Sequence, residues 1–295
     1  MVASTGLGLG LGEASVDSLD GKPKAHQGAL PLFRLNLRYG FASTGTQLFV
    51  ASGEGNALRF DGFFQGGVQQ SLGSAGAVSL AYLYSLPVKV WVDPYVTGVA
   101  RSETNRRAQG GRLGWERVLG SPLYLQYTFR HVSIDEERSG TLLGLSADGR
   151  RLLARGGNVH QGEIRWPFSV AAGHQLTPAF SYTREDLRGA ASSANTYEFK
   201  LRYAFGGAGP IALQLEGAIG RSVHDRDDPV FGKMQTDLRY ATSATARYRA
   251  PFGWEPFGYR RWSLFATVGY HAADSGIAFY SASLFIAGAG VAAEF

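Results

Sequence analysis

Cysteine is absent from the 295 residues, which excludes disulfides and thiolate metal sites. Long apolar runs are missing too. The longest, roughly Leu284 to Ala293, falls well short of the ~20 residues that a spanning helix needs. No capped stretch with a 3.6-residue apolar period appears, so long amphipathic helices are not expected. Charge of one sign does not accumulate either. The net charge is +5 and the basic residues are spread along the chain, which leaves nucleic-acid binding little support. The opening Met1-Val2-Ala3-Ser4 has neither a basic n-region nor a long apolar h-region. It reads as a mature sequence whose signal peptide has been removed.

What the chain does contain is glycine (40), tyrosine (14) and phenylalanine (18), set in segments that alternate apolar and polar. The alternation is clearest where Tyr197, Phe199, Leu201 and Tyr203 share one face and Glu198, Lys200 and Arg202 share the other. The split recurs at Phe33, Leu35, Leu37, Tyr39 and Phe41 against Arg34, Asn36 and Arg38. Such a period of two marks strands with one apolar face. A membrane strand takes only about 9–11 residues, half of them polar when they face a wet lumen. A mean hydropathy of −0.10 is therefore compatible with a membrane barrel.

Fourteen strands are predicted, at about 2–13, 31–41, 45–52, 56–69, 77–85, 108–118, 121–134, 159–170, 174–184, 195–206, 210–222, 236–249, 260–272 and 277–295. Every second connection is short and most of the others are long, apart from a short one near 52–55 and a long turn at 250–259. An even strand count with turns at one end and long loops at the other is the pattern of outer-membrane barrels. The expected fold is an all-β, transmembrane antiparallel β-barrel of about 14 strands, one domain over residues 1–295, with short periplasmic turns and long extracellular loops.

Alternation then assigns the lumen. It receives Arg34, Arg38, Arg59, Arg112, Arg130, Arg165, Lys200, Arg202, Arg239 and Arg247 against Asp61, Glu116, Glu163, Glu198, Glu216 and Asp237. A basic excess in a narrow, low-dielectric channel favours anionic solutes. The same charges, paired across strands, equally suit a filled structural barrel. The connection 86–109 is too apolar for a freely solvated loop, and its Trp91, Asp93 and Tyr95 are the candidate constriction. The segment Val88–Val96 reads equally well as an extra strand or loop hairpin. The glycines Gly6 to Gly12 and Gly288 and Gly290 give the first and last strands a smooth inner face with room for a loop or ligand.

Catalysis and metal binding find weak candidates. His131 and His160 lie near the outer ends of consecutive strands but point away from the lumen, and no serine at triad spacing accompanies them. The run His224-Asp225-Arg226-Asp227-Asp228 lacks the spacing and glycine turn of a calcium loop and reads as solvated. No enzyme activity, metal or cofactor is expected; a rim-site lipid hydrolase is the least favoured alternative.

The last strand alternates through Phe285, Ala287, Ala289, Val291 and Ala293 to the terminal Phe295. A chain that ends this way resembles the Gram-negative outer-membrane β-barrels, and the resemblance covers the whole length. It implies that Phe295 is the signal read by the barrel assembly machinery, and that the lipid of the outer membrane surrounds a monomer. Tyr39-Gly40-Phe41-Ala42-Ser43-Thr44-Gly45-Thr46-Gln47, Val90-Trp91-Val92-Asp93-Pro94-Tyr95-Val96-Thr97-Gly98 and Leu113-Gly114-Trp115-Glu116-Arg117-Val118-Leu119-Gly120-Ser121 are further similar to an uncharacterised outer-membrane family of unknown function. That likeness transfers no functional residues, but it implies that the Trp91–Tyr95 loop is a fixed feature. The expected role is passive uptake of small polar or anionic solutes; the alternative is a structural or adhesive barrel.

Overall fold

A computed structural model describes residues 2–14, 19, 24–54, 62–96, 98–253 and 262–294. Its strands are β1 (Val2–Ala14), β2 (Lys24–Phe41), β3 (Thr46–Glu54), β4 (Gly62–Ser71), β5 (Ala77–Ser85), β6 (Val88–Trp91), β7 (Glu103–Glu116) and β8 (Tyr124–Ile134). Then follow β9 (Gly157–Arg165), β10 (Phe168–Ala171), β11 (His174–Leu187), β12 (Ala194–Gly206), β13 (Ile211–Asp228), β14 (Lys233–Arg249), β15 (Trp262–Ser275) and β16 (Ala282–Glu294). A short helix, α1 (Ala147–Leu152), sits between β8 and β9 and is capped by Ser146 Oγ, which accepts from the Gly149 amide.

Fourteen of these strands form a closed antiparallel ring. β1 pairs with β16 from Val2↔Glu294 to Ala14↔Ala282, and β9 pairs with β11, so no ring strand keeps an open edge. Two strands are additions. β6 pairs with β7 beyond the end of β5, and β10 prolongs the line of β9 past Trp166-Pro167, where proline lacks the N–H a ladder needs. From 14 strands about 4.8 Å apart and tilted about 40°, the ring is about 28 Å across.

Val2, Glu294 and the short turns share one end of the barrel. Glycine at positive φ shapes these turns, as at Gly45 (+65°) before β3 and Gly173 (+75°) before β11, a backbone region that other residues enter at a cost. The long connections leave the other end, called the loop end below.

All fourteen expected strands occur, but several extend further. β7 begins at Glu103 rather than near 108, β2 at Lys24 rather than 31, and β13 runs on to Asp228. The connection 86–109 is thus shorter than expected, and the acidic run at 224–228 is strand rather than solvated loop. In these extensions both faces carry polar groups, so the alternation that reveals a strand disappears. The predicted strand start at 56 and Arg59 fall outside the described residues, as do most of the 250–259 turn and Phe295.

The ring sorts its faces cleanly. Phe199 is 49% exposed on the outside while its neighbour Glu198, pointing in, is 1% exposed. Leu7, Leu9 and Leu11 of β1 lie outward in the same way, with Gly6, Gly8 and Gly10 turned inward. The seam between β16 and β1 corrects one expectation. The space beside its glycines is already occupied: a Cβ on Gly288 would lie 2.6 Å from Leu32 Cδ1, and one on Gly290 would lie 2.8 Å from Phe265 Cε1 and closer still to the Thr5 carbonyl oxygen. Glycine here lets neighbouring backbone and side chains close in; it leaves no vacancy for a loop. Gly290→Val is accordingly expected to destabilise the closed barrel by about 1–3 kcal/mol through overpacking. Thermal unfolding in detergent, followed by circular dichroism, checks this; an unchanged midpoint would contradict it.

Candidate functional site: the lumen and its cap

Inward residues of neighbouring strands form rows, because the register places them opposite each other. One row reads Gln126, Glu163, Ser181, Glu198, Gly220 and Arg239 across β8, β9, β11, β12, β13 and β14. The row below it carries Arg165, Ala179, Lys200, Ala218 and Ala241. Small residues separate the charged ones, so long side chains reach diagonally over them. Lys200 Nζ stands 2.7 Å from Glu198 and 3.4 Å from Glu163, while Arg165 Nε stands 2.7 Å from Glu163. Arg202 meets Glu216, its cross-strand partner, at 2.8 Å. Arg239 meets Asp237 at 3.0 Å, and both Asp237 oxygens also accept from Gln235 Nε2. This wall is filled: Thr128, Glu198 and Ser222 are nearly inaccessible to water. Pairing of this kind meets the high cost of leaving a buried charge alone.

The wall from β2 to β7 differs. Arg34, Arg38 and Arg112 face inward there, and none makes an ion pair among the described residues. Arg34 and Arg38 are exposed although they point into the ring. Arg38 donates to Gln69 Oε1 and Asn36 Oδ1 at 3.3 Å, and Arg112 to Gln65 Oε1 and Thr128 Oγ1 at 3.1 Å. Arg130 and Arg247 also face inward, from β8 and β14.

The mouth at the loop end is covered. β6 returns against the start of β7, and the chain then buries Val92, Asp93, Tyr95 and Val96. Tyr95, 4% exposed, packs with Leu153 and Ala191, and Leu19, Phe231, Phe279 and Tyr280 pack against them. Those residues come from five other connections. The loop carrying Tyr95 leaves between β5 and β7. Phe231 and Tyr280 leave between β13 and β14 and between β15 and β16, either side of the point diametrically opposite on the fourteen-strand ring. A contact between them therefore crosses the mouth. Trp91 stands at the root of this span, where its carbonyl accepts from Arg155 at 2.7 Å and its ring lies 5.9 Å from the Arg101 guanidinium.

Polar bonds fix the cap. Asp93 accepts from the amides of Tyr95 and Gly140 at 3.0 Å, tying the crossing loop to the β8–β9 connection. Tyr280 donates its one hydroxyl proton to Asp228 at 2.6 Å, so in the 2.6 Å contact between the two phenols Tyr95 must be the donor. Burial raises the pKa of both phenols above the ordinary tyrosine value, with the Asp228 charge acting in the same direction. The sign follows. An exposed tyrosine releases its proton near pH 10, a buried one only above that, so the closed cap is fully favoured at neutral pH and weakens as pH rises beyond about 10. Protease nicking of the loops is expected to be flat from pH 6 to 9 and to rise near pH 11. The rise should shrink in a Tyr95→Phe, Tyr280→Phe double variant, and an equal rise there would contradict the assignment.

The sequence read Asp228 as solvated, put Phe279 and Tyr280 in a strand from 277, and did not single out Phe231. The last strand starts only at Ala282, which leaves the two aromatic residues in the loop, where they demand the same explanation as Trp91 and Tyr95. His131 and His160 do lie outward, bonded to Asn158 Oδ1 at 2.9 Å and to the Tyr127 hydroxyl at 2.7 Å. Asp225 pairs with Arg184 at 2.6 Å.

A family model described as a protein of unknown function (DUF2860) matches residues 8–292. No curated protein matches the sequence. Among solved structures, a Pseudomonas aeruginosa FadL homologue is similar at TM-score 0.54 and 10% identity, covering 100% of this chain and 90% of that one. The CymD monoaromatic hydrocarbon channel is similar at TM-score 0.46 and 9% identity, over 99% and 88% of the two chains. OmpTdeltaL8, a loop-deletion form of an outer-membrane protein of Vibrio cholerae, stands at 0.44 and 10%, over 99% of each. The likeness is one of fold: an outer-membrane β-barrel.

Proposed function

The chain belongs to the DUF2860 family, and from that premise and the barrel's geometry we propose that it is an outer-membrane channel passing small polar or anionic solutes by diffusion. One observation carries this reading: Arg34 and Arg38 point into the ring and remain exposed, so water reaches charge inside a cylinder whose outer face is apolar. Such a face belongs in lipid and such an interior belongs in contact with solution. The short turns then lie in the periplasm and the Tyr95 cap outside the cell, where it gates or narrows entry. The resemblance to outer-membrane barrels supports a monomer in outer-membrane lipid, delivered by assembly machinery that reads Phe295. No catalytic step is assigned to it.

Osmotic swelling of proteoliposomes tests the proposal. Vesicles carrying the refolded protein are expected to swell in isotonic small sugar or amino-acid solutions, faster than protein-free vesicles. Equal rates would overturn it. A structural or adhesive barrel is the second reading, favoured by the filled wall of paired charges from β8 to β14.

A further inference from the structure

Two groups stand out among the inner charges. On the β9–β14 wall Arg165, Lys200, Arg202 and Arg239 each have a carboxylate. On the β2–β7 wall the same small arrangement occurs twice, without one among the described residues. Arg38 uses Nε and Nη1 on Asn36 and Gln69, and its cross-strand partner is Phe49. Arg112 uses Nε and Nη1 on Thr128 and Gln65, and lies 4.7 Å from the centre of the Phe63 ring. In both, neutral oxygens hold the guanidinium and leave its charge intact; at Arg112 the Phe63 ring lies against it as well. In both, Nη2 makes no hydrogen bond among the described residues. Glu163 acts on Arg112 at longer range but is already shared by Arg165 and Lys200.

The two arrangements are joined through β4. Gln65 and Gln69 are four residues apart on one face, about 13 Å along the strand. Between them Gly67 faces inward, where a Cβ would strike Ala81, so this part of the wall is low. Arginine held by neutral acceptors is a different object from arginine in an ion pair. It is a fixed positive charge with free donors, and its planar fork matches a carboxylate.

We propose that Arg38 and Arg112 are two successive stations for small carboxylate anions, set along the β2–β7 wall by Gln69 and Gln65. The anion path is thus off-centre: it follows this wall, because on the opposite one Arg165, Lys200, Arg202 and Arg239 are each taken up by a carboxylate. The inference rests on the channel reading and sharpens it to a solute class.

Reversal potentials in a potassium acetate gradient, with potassium chloride for comparison, test both at once. Wild-type protein in a planar bilayer is expected to prefer acetate over potassium. Removing one charge at contact distance changes an ion's local occupancy about fivefold even in water, so Arg38→Gln and Arg112→Gln should each lower the acetate-to-potassium ratio by about that factor. Arg38→Lys with Arg112→Lys keeps the charge and loses the fork; it should retain chloride preference and lose the advantage of acetate over chloride. Arg221→Gln, on the outer face, should leave the ratio unchanged. Folding of each variant is checked by its heat-dependent gel migration. Conducting Arg38→Gln, Arg112→Gln double variants with wild-type ratios would overturn the stations and leave the channel standing. Absence of conductance in wild type and in the cap variant Tyr95→Ala alike would overturn the channel, and the stations with it.

Discussion

Tyr95→Ala is expected to open the cap. Tyr95 reaches loops from the far side of the ring, and it supplies both ring packing and the hydroxyl that bonds Tyr280. Truncating a buried aromatic side chain costs about 3–5 kcal/mol, comparable with what a small cluster of loop contacts contributes in all. The loss should stay local, because the fourteen-strand ladder does not depend on the cap. Loop proteolysis should therefore rise steeply while the unfolding midpoint of the barrel moves little, and proteoliposome swelling should quicken severalfold. Tyr95→Phe separates the two contributions. It keeps the packing against Phe279 and Phe231 and loses only the hydrogen bond, worth about 1 kcal/mol, so it should leave the cap mostly closed. Unchanged proteolysis in Tyr95→Ala would show that the crossing loop does not close the mouth.

Phe199→Arg has the second large effect. Phe199 is outward on β12, paired with Phe180 of β11 and Ile219 of β13, a wholly apolar row. An arginine on a lipid face costs about 2–4 kcal/mol near the bilayer midplane. Folding yield into vesicles should fall sharply. One position along, Lys200→Met removes a charge from the lumen instead. Lipid would not register that change, but Glu198 would lose its nearest cation and sit buried beside Glu163. It should fold into vesicles and lose stability by a few kcal/mol, the usual cost of breaking a buried pair. The contrast between neighbours tests the direction of the whole strand; equal folding yields for the two variants would place it in the wrong register.

Much of this fold was legible because lipid and lumen impose opposite demands on successive residues. Tyr197 to Tyr203 and Phe33 to Phe41 announce their strands without any knowledge of partners, and alternating connection lengths order them into a ring. Legibility ends where the membrane ends. In 103–107 and 223–228 both faces are polar, and strands continue there with no pattern to betray them. The cap was half legible. Apolar Trp91 to Tyr95 in a loop required a covering, but its partners Leu153, Phe231 and Tyr280 come from distant connections, and only the closed ring brings them together. Lumen membership of the arginines followed from parity alone. Their division into charges with a carboxylate partner and charges held by neutral oxygens did not, since it depends on which strands lie two apart in the ring, as Lys200 and Glu163 do across β11.

Single-channel recording tests the central claim most directly. Refolded protein, inserted in a planar bilayer under a salt gradient, is predicted to show discrete openings and a reversal potential of the sign set by anion preference. Tyr95→Ala is predicted to stay open for longer. Reproducible insertion without current in either protein would contradict an open lumen and leave a barrel closed by its own paired charges.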